Sequence, residues 1–157
     1  MSATPKPRPR RQPELALNIQ YGFGAATPPS RARFGTWMRA ALTRDAHITL
    51  RVVGAREARK LNHRYRHRDY ATNVLTFVYS DGGPLEGDIA ICAPVVAREA
   101  RALGISREAH YAHLTVHGVL HLQGHDHQRT RDAERMERLE TRILKALGYA
   151  DPYQPTE

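Results

Sequence analysis

The sequence predicts an α+β fold, a small mixed sheet of about four strands covered by about five helices. Three observations carry that expectation. The 157 residues are 41% hydrophobic and 25% charged, the composition of one globular domain with a real core. Segments with alternating apolar residues interleave with segments whose apolar residues recur every three or four positions. Asp81-Gly82-Gly83-Pro84 is a turn between two strand-like segments, which makes them a hairpin.

Taken in order, Leu15, Leu17, Ile19 and Tyr21 alternate with Ala16, Asn18 and Gln20 and form the first strand. Ser30 caps a helix with Phe34, Trp37, Met38, Ala41 and Leu42 on one face. Ile48, Leu50 and Val52 mark a second strand. After Gly54 comes a helix with Ala58, Leu61 and Tyr65 inward and its basic residues outward. Thr72 to Tyr79 and Asp88 to Cys92 are the paired strands, rich in β-branched and aromatic residues. Pro94 suits the first turn of a helix running to Leu103 and ended by Gly104. Ser106 caps the next helix, which reaches about Gln123. The last runs from Thr130 to about Leu147, with Met136, Leu139, Ile143 and Leu147 as its stripe and Gly148 beyond its end. The order is β-α-β-α-β-β-α-α-α.

Composition also excludes classes. No apolar run approaches the ~20 residues needed to cross a bilayer. One cysteine, Cys92, leaves no internal disulfide and no cysteine-based zinc or iron–sulfur site. Residues 1–13 read as a flexible basic tail. It holds four prolines and lacks the apolar core of a secretory signal, and a single domain of residues 14–157 follows. A cytoplasmic protein is expected. The net charge is +8, of which Lys6, Arg8, Arg10 and Arg11 supply half. A second cluster, Arg56, Arg59, Lys60, Arg64, Arg66 and Arg68, is opposed by Glu57 alone and suits either a phosphate backbone or a solvated helix face.

The chemistry concentrates further on. Six of the nine histidines lie between His110 and His127. His117 and His121, four apart, project from one helix face and can share a metal ion. On a continuing helix His127 would point away. Gly124 can take the left-handed conformation that ends a helix and turns the chain back toward the pair. Three imidazoles and an open fourth position describe a catalytic zinc site. His125 competes for the third position, and His127 is preferred. His110 and His113 are supporting or structural residues.

The same spacing fits the metzincin frame, H-E-x-x-H-x-x-G-x-x-H, in which the glutamate is the general base. Gly118 occupies that position here and has no side chain to act. A zinc metalloprotease is therefore the weaker reading.

These residues resemble the YbeY family, bacterial metal-dependent endoribonucleases that mature ribosomal RNA. The resemblance spans about residues 46–153. It rests on H-G-x-L-H-L-x-G-x-D-H at His117–His127, on Tyr65-Arg66, Asp69 and Thr72-Asn73-Val74-Leu75-Thr76-Phe77, and on Gly87-Asp88-Ile89. Ala112-His113 and Ala146-Leu147-Gly148-Tyr149 also match. Position 125 is usually Tyr in the family and is His here.

The resemblance implies one Zn2+ ion on His117, His121 and His127. It implies cleavage of single-stranded RNA in maturation of the 16S 3′ end and in ribosome quality control, in the cytoplasm. Implied partners are an rRNA precursor and the small ribosomal subunit or its proteins. It also singles out Arg66, whose donors would stabilise charge on the phosphate. Asp126 is expected to orient a ligand histidine, or to act as base. A zinc-stabilised ribosome-assembly factor without catalysis is a further alternative.

Overall fold

A computed structural model describes residues 12–22, 27–66, 72–80, 82–125 and 130–153, apart from the side chains of Tyr65 and Arg66. The elements are β1 (Leu15–Tyr21), α1 (Arg31–Ala41), β2 (Ala46–Val53), α2 (Ala55–Arg66) and β3 (Val74–Ser80). They continue with β4 (Leu85–Cys92), α3 (Ala93–Leu103), α4 (Arg107–Leu122) and α5 (Thr130–Ala146). Type and order are those the periodicities predict. The expected basic tail lies outside the described residues, except for Gln12 and Pro13.

The four strands lie in the order β1-β2-β4-β3. β1 and β4 flank β2 in parallel, while β3 pairs antiparallel with β4, so the sheet is mixed and holds the expected hairpin. β2 alternates as a half-buried strand must: Ile48, Leu50 and Val52 are fully buried and His47 is exposed. In register, Leu50 sits between Ile19 and Ile89. β4 begins at Leu85, ahead of the expected Asp88, because Leu85 pairs with Ala46 and Glu86 with His47 right up to the turn.

α4 crosses this layer and packs against α1, α3, α5, β3 and β4. Its apolar face sends Val116, Val119, Leu120 and Leu122 into the core, with Phe34, Met38, Ile89 and Ile91. Full burial of a Leu, Ile or Phe is worth about 1.5–3 kcal/mol, so this helix–sheet contact is the main stabilising layer.

Two helices turn differently from their apolar patterns. On α5 the fully buried residues are Met136, Glu140 and Leu144, one turn apart, whereas Leu139, Ile143 and Leu147 only edge the core. On α2, Asn62 is buried and Leu61 half-buried, while Arg56, Arg59, Lys60 and Arg64 face outward as expected. In α5 the rotation carries a glutamate to hydrogen-bond donors that an apolar count does not register.

Candidate metal centre

α4 is fixed at both ends by local chemistry. The Ser106 hydroxyl accepts from the Ala109 amide (3.0 Å), and Glu108 sits in the first turn, where a negative charge suits the helix dipole. At the other end Gly124 has φ +97°. The Gly124 amide donates to His121 O (3.0 Å) and the His125 amide to Leu120 O (3.1 Å), the paired bonds of a Schellman ending. The helix thus stops at Leu122, one residue after His121, and the chain reverses at Gly124, as the sequence predicts. His125 is half-buried just beyond. Asp126 and His127 lie outside the described residues, as does the side chain of Arg66, the last residue of α2.

The polar face of α4 carries His110, His113, His117 and His121. The rings of His110 and His113 meet edge to face with centroids 6.2 Å apart, and those of His113 and His117 at 6.4 Å. Such a row of donors needs an acceptor, and α5 supplies it. Glu140, fully buried, accepts from His117 Nδ1 through Oε1 and from His113 Nε2 (3.0 Å) through Oε2. The Tyr153 hydroxyl also donates to Oε2. Burial alone would push the Glu140 carboxyl up. The hydrogen bonds from His113 and His117, the charge on His117 and the Tyr153 hydroxyl outweigh it and hold the carboxyl down at about 2. Burial and the adjoining Glu140 carboxylate push the Tyr153 hydroxyl far up, so it remains a donor.

Acceptor-only Glu140 fixes the tautomer of His117. The proton shared with Glu140 sits on Nδ1, so when the ring is neutral its lone pair is on Nε2, the state in which imidazole ligates a metal. A carboxylate behind a histidine is the usual outer support of a metal-binding imidazole, so the residues present fit a zinc ion. Among the described residues no three His, Cys, Asp or Glu groups are placed to hold a metal ion. His117 and His121 offer two, and the expected third is His127.

Gly118 shows why a protease base has no place here. A Cβ on it would lie 3.2 Å from Ile89 Cδ1 and 3.5 Å from Thr76 Cγ2. The position faces the sheet, where α4 presses on β3 and β4. A glutamate there would point into the core, away from the histidine row.

Sequence reasoning missed Glu140, Tyr153 and Glu99. Glu99 accepts from His110 Nε2 (2.9 Å) and Asn73 Nδ2 (3.0 Å). Glu140 did leave a signal, a charged residue in register between Met136 and Leu144 on the core side of α5.

The family model described as Endoribonuclease YbeY matches residues 31–148. The chain is 51% identical over 166 residues to Endoribonuclease YbeY of Nitrosospira multiformis, covering 96% of this chain and 85% of that protein. The corresponding protein of Aromatoleum aromaticum is 55% identical over 142 residues, covering 88% of this chain and 92% of its own length. The solution structure of TM1509 from Thermotoga maritima superposes with a TM-score of 0.53 at 22% identity, over 88% of this chain and 99% of that one, and shares the fold.

Proposed function

The chain belongs to the YbeY endoribonuclease family, and from that premise we propose that it cleaves single-stranded RNA at one zinc ion held by His117, His121 and His127. The observation that carries the proposal is the buried Glu140 carboxylate, which sets His117 to present Nε2. Such support is needed by a metal ligand and not by a surface histidine.

A zinc ion bound there would supply Lewis acidity toward the phosphoryl group and toward water near neutral pH. The chain's own residues do the rest. Arg66, at the end of α2, offers a fork of donors to the charge that builds on the non-bridging oxygens. The outward basic face of α2, with Arg59, Lys60 and Arg64, holds the RNA backbone without reading sequence. Asp126, two residues beyond the left-handed Gly124, orients a ligand histidine. The same reading makes the substrate an rRNA precursor cut at the 16S 3′ end, in the cytoplasm and with small-subunit components as partners. Among the described residues no helix is long and apolar enough to cross a membrane.

The test is metal analysis of the purified protein together with incubation of a single-stranded rRNA fragment, with and without chelator. The expected result is about one zinc per chain and cleavage that chelator abolishes. His117→Ala and His121→Ala should remove both, whereas Arg66→Glu should keep zinc and lose cleavage. RNA that binds yet stays intact, with metal removal unfolding the chain, would favour an assembly factor instead.

A further inference from the structure

Beside the histidine row lies a cavity of about 390 Å³, at the low end of the range for small-ligand sites. Its walls come from α3, α4 and the start of β3. His113, His117 and Tyr153 border it on the side of the candidate metal centre. On the other side stand Val74, Ala102, Leu103 and Leu114, with Asn73, Glu99 and His110 as the polar groups. Leu103 is 52% exposed at the end of α3, an apolar side chain left facing water at the rim of a hole.

The polar end is built with care. His110 is buried, and its Nδ1 has no hydrogen-bond partner among the described residues, so its proton belongs on Nε2, which donates to Glu99 Oε1 (2.9 Å). Asn73 donates to the same oxygen (3.0 Å) while its own Oδ1 accepts from the Val74 amide (2.7 Å). Glu99 is therefore locked by groups from two other segments. Its second oxygen, Oε2, receives one long contact from Asn73 (3.4 Å), and the side chain is 36% exposed. A carboxylate offers about four lone-pair sites, and those of Oε2 are barely used. A rigid acceptor over an apolar slot is a recognition element.

We propose that this cavity is a nucleobase subsite beside the cleavage centre, and that Glu99 selects guanine in it. The proposal rests on the endoribonuclease reading and adds a substrate preference to it. Unpaired RNA bases are recognised by stacking on side chains and by hydrogen bonds to their edges. Guanine alone presents an imino N–H and an amino group side by side, with no acceptor between them. Adenine and cytosine each carry a ring-nitrogen lone pair next to the amino group, and the uracil imino group lies between two carbonyls. An anionic oxygen attracts the first pattern and is repelled by the lone pairs of the others. Position supports the same reading. From His110, bonded to Glu99, the row reaches His117 in two ring-to-ring steps of 6.2 and 6.4 Å, so the selected base belongs to a nucleotide flanking the scissile bond.

The test uses zinc-loaded full-length protein and single-stranded RNAs that differ at one base. The wild type should cut beside guanine about ten-fold faster than beside any other base, the scale of one hydrogen bond to a charged group. Glu99→Gln replaces an acceptor by a donor and should shrink that preference to about two-fold or less. Ala102→Trp fills the slot from an exposed position and should remove the preference without disturbing the core. Cleavage indifferent to the base, a preference for another base, or guanine preference that survives both variants would overturn the proposal. A second arm separates it from catalysis. Guanosine 5′-monophosphate, titrated into metal-free protein, should shift the amide NMR signals of Val74, Ala102 and Leu103, and uridine 5′-monophosphate should not. Those shifts without any RNA cleavage would sink the nuclease reading and keep the subsite. Cleavage without base preference and without shifts would do the reverse, and neither cleavage nor shifts would sink both.

Discussion

Glu140 and Glu99 both accept hydrogen bonds from histidines of α4, yet one is sealed and the other stands at a cavity rim. Glu140 is 0% exposed and takes donors from His113, His117 and Tyr153 on its two oxygens. Glu99 is 36% exposed, and His110 and Asn73 both hold the same oxygen. A saturated, buried carboxylate can only position its partners. A carboxylate held by one oxygen can hold still and also meet something new. Along one helix face the molecule thus separates orientation from recognition, and depth of burial decides which carboxylate does which.

Removing the sealed carboxylate should have the largest effect on the protein itself. Glu140→Ala leaves three donors facing a hole and should cost about 3–5 kcal/mol in urea unfolding, the scale of a broken buried pair. Glu140→Gln, nearly isosteric, should weaken zinc binding by about 10–100-fold in a competition titration. Equal zinc affinity in that variant would show that Glu140 does not act through His117.

The second effect is on pH. The folded pKa of Glu140, about 2, lies below the ordinary 4.5. Its stabilisation is therefore complete above pH 4.5 and is lost as pH falls toward 2. For metal-free protein that loss should be about 3 kcal/mol across the interval, and it should be absent in Glu140→Gln. Parallel pH profiles for the two proteins would remove the ionised carboxylate from the account.

A smaller change is expected at Gly118. Gly118→Ala should cost about 1 kcal/mol, because crowding against Ile89 exceeds the gain in helix propensity. Gly118→Glu should destabilise more and bring no peptidase activity. Smallest of all, Arg59→Ala on the exposed face of α2 should weaken RNA binding a few-fold and reduce the salt slope of binding by about one.

Several features of the site are legible in the sequence. His117 and His121 share a face because the helix repeats every 3.6 residues, and Gly124 ends that helix because glycine readily takes φ +97°. The outward basic face of α2 follows from the same periodicity. The element order followed from alternation and turn residues. One misplaced detail has a plain cause. The stripe expected on α5 ran through Leu139 and Ile143, because an apolar count pushes a glutamate outward. Residues 123 to 129 carry the other half of the metal motif, and of these the structure describes Gln123, Gly124 and His125.

By itself the sequence determined what depends on neighbours along the chain: helix periods, caps, the reversal after His121 and the histidine spacing. Only the tertiary structure decided which carboxylates meet those histidines. Glu140 is 23 residues from His117 and Glu99 is 26 from Asn73, and no local rule relates them. Their pairing comes from α5 and α3 being pressed onto α4 by burial of apolar faces. That force has no direction of its own, and the buried donors and acceptors settle on the arrangement in which each finds a partner.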